Sequence, residues 1–459
     1  MERWLLLDLL QWKKSVNRKP LILHGIRRVG KTWALREFGR RYYKNVVYFN
    51  FKEHEEYKQF FVKSRDLDRI LQNLMMASTQ LIKPEETLII FDEIQECPQI
   101  FDFLEYFGQH ALNYHLACAG TLLQKTLALK GLLSSGQVDF LEIRPLSFSE
   151  FLIANGDSKL NNFLNSQNSL EAIPEDLSAL LWEKLKMYLV TGGMPEAVGA
   201  WTEDRNVELV QEVLADLLGR YERDFAKLVK ASDYPKILRI WQSIPAQLAK
   251  SNKKFTYQGV AANARAREYA QALQWLCDTE LTSKVYRSNE PGIPRSEQAN
   301  LSAFKLYLAD VGLLRRLTRL SPAAFAEGNR LFTEFKGALS ENFIFQTLRY
   351  GLGVAPCYWL MENPHYEVDF ILVREDKFIP LEINCTVNSN VGSKNLQKFQ
   401  EEYGEQVALL VRFSMGNLTF EHNFLNIPLF MADYTDKLIE LALRRMRENG
   451  LCSRSTTVT

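Results

Sequence analysis

Six cysteines in 459 residues (Cys97, Cys118, Cys277, Cys357, Cys385 and Cys452), none in a C-x-x-C pair, are too few and too scattered for a disulfide framework or a zinc site. Buried free thiols in a reducing cytoplasm are the expectation. Charge of one sign is also missing. The 56 Lys and Arg side chains against 55 Asp and Glu leave a formal charge of +1, which excludes a globally basic nucleic-acid coat but not a local basic face. No apolar run approaches the roughly 18 to 20 residues of a membrane span, so no membrane partner is expected. The apolar start, Met1 to Leu10, is interrupted by Asp8. Gln11 to Lys14 then stand where a signal peptide would carry a small-residue cleavage site. What is present is ordinary globular material, 46% hydrophobic and 24% charged, in a chain too long for one core. Two to four domains are expected.

The first 150 residues alternate short apolar runs with segments of helical length. Leu21–His24, Asn45–Asn50, Thr87–Phe91, His115–Ala119 and Phe140–Ile143 read as buried strands, with Lys31–Tyr43 and Leu67–Leu81 as helices. That alternation predicts an α/β layer with a mostly parallel sheet. From Leu152 the strand signal disappears. Asn155–Asn168 reads as a polar loop, and Pro174–Val190 and Asn206–Ala231 as helices around the breaker Thr191-Gly192-Gly193-Met194-Pro195. Tyr234–Leu320 reads as mainly helical, with one extended pair around Ser283–Arg287 and Ala303–Tyr307, a winged-helix-like pattern. Strands return at Cys357–Leu360, Glu367–Val373, Phe378–Cys385 and Gln406–Arg412, beside helices at Leu339–Tyr350 and Asn395–Tyr403. Leu438–Arg447 is a short amphipathic helix, and Ser453–Thr459 a polar tail.

The strongest local signal is Gly25-Ile26-Arg27-Arg28-Val29-Gly30-Lys31-Thr32, a full match to G-x-x-x-x-G-K-[ST] between a strand and a helix. Glycines at 25 and 30 let the backbone curl its N–H groups toward a phosphate, and the helix N-terminus adds partial positive charge. Lys31 would neutralise β- and γ-phosphates, and Thr32 would offer its hydroxyl to Mg²⁺. The candidate nucleotide-binding set is Gly25, Arg28, Val29, Gly30, Lys31, Thr32 and Trp33, with ATP and Mg²⁺ as the expected ligands. Thr87–Glu93 supplies the carboxylates at a strand end. Asp92 would hold the metal through water, and Glu93 would orient or deprotonate the attacking water. Thr121, just past His115–Ala119, could hydrogen-bond that water or the γ-phosphate; the competing reading is a turn residue. Gly192-Gly193-Met194-Pro195 could bring backbone and the Pro195 ring against adenine; the competing reading is a simple helix break.

Through these motifs, residues 1–230 resemble the bacterial and archaeal AAA-type ATPases of the extended P-loop class. The matches are Arg3, Trp12, Gly25–Thr32, Phe91-Asp92-Glu93-Ile94-Gln95, Pro145–Phe151 and the lid motif Gly192-Gly193-Met194-Pro195-Glu196. Residues 235–459 resemble the C-terminal region usually fused to that ATPase. The matches there are Phe304–Leu314, Phe335-Lys336-Gly337-Ala338, Glu341-Asn342, Tyr358-Trp359, Glu367–Phe370 and Pro380-Leu381-Glu382. The resemblance implies an ATPase. One departure is Gly136-Gln137, where the family usually has Gly-Arg. If that arginine reads a γ-phosphate, hydrolysis here is expected to be slow, with Arg144, Arg220 and Arg223 as substitutes among which the sequence does not choose.

Glu341 on a helix, Asp369 on a strand and Glu382 on the next strand follow the PD-(D/E)XK nuclease arrangement, which the family's C-terminal region resembles. They form a candidate second metal site. The E-x-K element reads Glu382-Ile383-Asn384, and asparagine cannot supply the positive charge, so cleavage is not expected unless Lys394 or Lys398 reaches back. Lys250, Lys253, Lys254, Arg265 and Arg267, with Phe255 and Tyr257, could meet DNA or RNA phosphates, although Glu268 and Asp278 are interleaved.

The expected architecture is a multidomain α/β chain. It comprises a P-loop AAA-type ATPase core at 1–155, a helical lid at 156–230, a winged-helix-like helical region at 231–322 and a nuclease-like α/β domain at 323–459. The expected function is an Mg-dependent ATPase whose nucleotide state controls a nucleic-acid-binding C-terminal half. A slow nucleotide switch with a protein partner, and an active ATP-dependent nuclease, are the alternatives. The sequence leaves the oligomeric state open.

Overall fold

Two sheets organise the chain. The structure, a computed structural model, describes residues 2–63, 66–121, 136–250, 252–288, 299–318, 337–351, 356–362, 365–384 and 393–448. They fall into two compact units, residues 1–145 with 278–281, and residues 146–277 with 282–459.

The first unit holds five strands: β1 Leu21–His24, β2 Asn45–Asn50, β3 Thr87–Asp92, β4 His115–Ala119 and β5 Asp139–Glu142. Their order is β2-β3-β4-β1-β5, and every pairing is parallel. Parallel strands are covered on both faces, which is why they read as continuous apolar runs; all six residues of β3 are buried. The crossover helices include Lys31–Tyr42, Leu67–Ser78 and Gln99–His110. One side of the sheet packs on an apolar core in which Phe49, Phe51, Phe61, Phe91 and Phe103 meet mostly edge to face. The helix expected to reach Leu81 ends at Ser78, where Thr79 turns left-handed at φ 54°.

The second unit begins with the helices Phe148–Ala154, Ser158–Ser166, Glu175–Thr191, Pro195–Asp204, Val207–Leu228 and Tyr234–Leu248. Ser158–Ser166 corrects the polar loop expected at 155–168. Leu160 and Leu164, one turn apart, are buried, and Asn161 accepts a hydrogen bond from the Tyr434 hydroxyl at 3.1 Å. A narrow apolar stripe was enough, although Asn and Ser dominate the composition.

After helix Ala266–Asp278 comes a mixed eight-stranded sheet. Its strands are β6 Thr282–Ser288, β7 Ala299–Leu308, β8 Cys357–Met361, β9 Tyr366–Arg374, β10 Lys377–Asn384, β11 Leu410–Ser414, β12 Thr419–Glu421 and β13 Phe424–Pro428, in the order β12-β13-β11-β10-β9-β8-β6-β7. The hairpin β6–β7 is therefore no isolated wing. β6 pairs with β8 through Arg287↔Tyr358 and Ser288↔Trp359, so the ranges 231–322 and 323–459 share one sheet. Helices Val311–Thr318, Ala338–Gly351, Lys394–Tyr403 and Thr435–Glu448 complete this unit. The Pro322–Asn329 break, Cys385, Cys452 and the tail Ser453–Thr459 lie outside the described residues. Among the described residues no helix is long and apolar enough to cross a membrane.

Candidate functional site

The loop between β1 and helix Lys31–Tyr42 is curled as its glycines require. Gly25 has φ 147°, and a Cβ there would stand 2.2 Å from the Ile143 carbonyl oxygen. Gly30 is left-handed at φ 99°, and Arg28 shares that region at φ 65°. Alternation of this kind turns successive N–H groups toward one concavity. Lys31 is buried, and its Nζ donates to the carbonyls of Gly25 at 2.8 Å and Ile26 at 2.9 Å. Burial lowers its pKa to about 8, against the opposing carboxylates of Glu93, Glu280 and Asp92. Val29 is buried behind the loop, whereas Trp33 is 40% exposed. Arg3 braces the loop from behind by donating to the carbonyl oxygens of Val29 and Arg144.

At the end of β3 the Asp92 carboxylate has three donors. Oδ2 accepts from Thr32 Oγ1 at 2.7 Å and from the Tyr48 hydroxyl at 2.8 Å, and Oδ1 accepts from the Glu93 N–H at 2.9 Å. Glu93 is left-handed at φ 54°. A hydroxyl and a carboxylate side by side are hard oxygen donors of the kind Mg²⁺ takes, so these residues fit the expected ion. β4 lies between β1 and β3, which brings Thr121 to the same edge of the sheet. There the Thr121 N–H donates to Gln95 Oε1 at 3.1 Å, and Gln95 Nε2 donates to the Glu93 carboxylate. The Thr121 N–H needs an acceptor, so the amide of Gln95 must present its NH₂ to Glu93. Sequence reasoning assigned no role to Gln95 or Tyr48. Their signals were modest: Gln95 closes the Phe91–Gln95 motif, and Tyr48 is a polar tip within an apolar strand.

Pro195 belongs to the second unit, where it opens helix Pro195–Asp204. Of the three candidate arginines, Arg144 pairs with Glu142 at 3.1 Å beyond β5. Arg220 and Arg223, both in the second unit, pair with Asp216, and Arg220 also with Glu196.

In the second unit Glu341 and Asp369 come together, but in lysine company. Glu341 is buried, and its Oε1 accepts from Lys305 Nζ at 3.0 Å and from the Tyr307 hydroxyl, while Oε2 accepts from Lys253. Asp369 Oδ1 lies 3.6 Å from both lysine nitrogens, and Lys305 also stands 2.6 Å from Glu367. Burial would raise Glu341, but the two ammonium groups hold it below the usual carboxylate range. Burial pushes Asp369 up to about 6, with Glu341 adding to the rise. Glu382, one residue beyond the Leu381↔Phe370 pair of β9 and β10, accepts instead from Asn395 Nδ2 at 2.8 Å. Lys398 pairs with Glu401 on an exposed face, and among the described contacts neither it nor Lys394 reaches these carboxylates. Among the described residues no group of three or more His, Cys, Asp or Glu is placed to hold a metal. Of the basic set expected to meet phosphate, Lys250, Arg265 and Arg267 are exposed, whereas Lys253 is turned inward.

Residues 17–152 match the family model described as an AAA domain. Residues 182–324 and 336–430 match two further models, each described as a domain of unknown function, DUF8612 and DUF4143. An uncharacterized protein of Methanocaldococcus jannaschii is 25% identical over 373 residues, 79% of this chain and 74% of that one. Among solved structures, the Walker-type ATPase of Pyrococcus abyssi is 14% identical with a TM-score of 0.42, covering 69% of this chain and 95% of that one. The ORC1 protein of Aeropyrum pernix, solved in complex with DNA, is 12% identical with a TM-score of 0.30, covering 69% and 90%. Residues 17–152 are thus similar to an AAA domain, and the first unit carries a phosphate loop within a parallel sheet, the arrangement of a P-loop ATPase.

Proposed function

We propose that the first unit binds ATP with Mg²⁺ and hydrolyses it. The observation that carries this reading is the junction of the two motifs: Thr32 and Asp92 share a 2.7 Å hydrogen bond, with Lys31 and Glu93 on either side. The curled N–H groups from Arg28 to Trp33 cradle the phosphates. Lys31 exchanges its two loop carbonyls for phosphate oxygens. Mg²⁺ held near Thr32 and Asp92 would neutralise charge on the β- and γ-phosphates. Glu93 takes the proton of the attacking water or orients it, and Thr121 stands at the edge where the γ-phosphate would lie. Replacing Lys31 by Ala should abolish ATP binding in calorimetry at fixed Mg²⁺ while leaving the fold intact; unchanged affinity overturns the reading. Glu93→Gln should keep ATP bound while turnover falls by roughly 100-fold or more, since it retains size and hydrogen bonding without the base.

We further propose that the nucleotide state biases the second unit toward a nucleic acid, supported by the exposed Lys250, Arg265 and Arg267. A slow switch acting on a protein partner is the second reading, favoured by Gly136-Gln137 where the family has Gly-Arg. Steady-state hydrolysis with and without DNA or RNA separates them. Strong stimulation supports the first, and slow unstimulated turnover with retained nucleotide supports the second.

A further inference from the structure

The nuclease-like arrangement implies a divalent cation among Glu341, Asp369 and Glu382, and the residues present do not fit one. We infer that the ammonium groups of Lys305 and Lys253 take the place of that cation, so that the second unit carries a metal-independent charge centre. Lys305 is fully buried and lies 3.0 Å from Glu341, 2.6 Å from Glu367 and 3.6 Å from Asp369. It occupies the position from which a cation would bridge these carboxylates. Lys253 spans Glu341 and Asp369.

Two ammonium groups against three carboxylates leave one negative charge. A divalent ion placed among them would meet two like charges within a few ångströms in a dry site, where repulsion is poorly screened. Part of the oxygen capacity is also taken. The Tyr307 hydroxyl donates to Glu341, and the Ile383 N–H donates to Asp369 Oδ2 at 2.9 Å. Glu382 gives Oε1 to Asn395, and its Oε2 has no hydrogen-bond partner among the described residues. The positive charge that Asn384 cannot supply is thus present, but it enters from β7 and from the turn after helix Tyr234–Leu248. It enters as a counter-ion to the very carboxylates that would ligate metal. That turn is pinned just after the charge. Lys253 is left-handed at φ 47°, the Phe255 N–H donates to the Phe304 carbonyl at 2.9 Å, and the two rings stack at 5.3 Å. The centre therefore fastens the helical segment to the sheet, a task that needs no metal.

The test is Mn²⁺ uptake by the nucleotide-free full chain, followed by equilibrium dialysis and electron paramagnetic resonance. Wild type and Asp369→Asn are expected to differ by less than about two-fold in uptake, and a chelator is expected to leave the melting temperature unchanged. One equivalent of Mn²⁺ bound in the micromolar range, lost in Asp369→Asn and retained in Asp92→Asn, overturns the inference. A second measurement uses thermal unfolding. Lys305→Met leaves a buried carboxylate without its partner, so the melting temperature falls. Lys305→Met combined with Glu341→Gln should regain at least half of that fall. A double variant that loses the sum of the two single losses overturns the pairing of charges.

Discussion

The Lys31 ammonium is held by two carbonyls of its own loop, and its burial there has a consequence in pH. Burial places its pKa at about 8, so in the free protein the ammonium loses its proton as pH rises through that value. ATP needs the charged form. Affinity should therefore be level below pH 7.5 and fall by up to about ten-fold per pH unit above 8, because binding must then recover the proton. A titration of ATP binding from pH 7 to 9.5 checks this. Lys31→Arg keeps its charge throughout and should remove the inflexion, whereas an inflexion that persists in that variant assigns the titration elsewhere. The same scale shows what a sequence can disclose. Gly25, Gly30, Lys31 and Thr32 are contiguous, and their spacing alone encodes a loop whose geometry is local. Lys305 gives no such sign, and Lys253 reads as part of a basic set aimed at phosphate rather than as a partner of Glu341. Each is one lysine among 56 cations in the chain, and only the fold brings them to Glu341.

At the scale of elements, the break at Gly192-Gly193 was legible, and its cause was not. Gly192 sits at φ 71°, and a Cβ there would stand 2.3 Å from Asp310 Oδ1. A Cβ on Gly193 would meet the Leu146 carbonyl oxygen at 2.1 Å. The glycines thus permit close packing inside the second unit, whatever else the segment does. Asp310 is the buried pin. Oδ2 accepts from the Gly193 N–H at 2.6 Å, and Oδ1 accepts from the Leu313 N–H at 2.9 Å. Asp310→Asn replaces one acceptor by an NH₂ that faces a backbone donor. The expected loss is about 1–3 kcal/mol, read as a lower denaturant midpoint at unchanged m-value. A midpoint equal to wild type removes Asp310 from this role. The five strands of the first unit were readable because parallel strands are apolar on both faces. Helix Ser158–Ser166 is hard to read because Leu160 and Leu164 are the apolar residues it buries, beside a buried Asn161. The joining of β6 to β8 is a pairing between distant segments, which periodicity along the chain does not encode.

For the whole molecule the relevant fact is that two sheets with separate cores belong to two compact units, and the first recruits residues 278–281 from far along the chain. Only the first unit carries the phosphate loop. Where each compact unit unfolds as its own cooperative transition, calorimetry resolves two. Ligand that binds only the native first unit stabilises it by mass action. At ATP about 100-fold above its Kd, with Mg²⁺ present, that amounts to about 2.7 kcal/mol. For a unit of this size it corresponds to a rise of roughly 5–10 °C in one transition. If nucleotide acts on the first unit alone, the other transition should stay within about 1 °C. Lys31→Ala should cancel the rise without moving the ligand-free midpoints by more than about 2 °C, since the loop keeps its glycines and its Arg3 brace. If ATP moves both transitions together in wild type, folding of the second unit is linked to the nucleotide site. In that case the energy for any nucleotide-driven change reaches the second unit through equilibrium coupling, and its size can be read directly from the shift of the second midpoint.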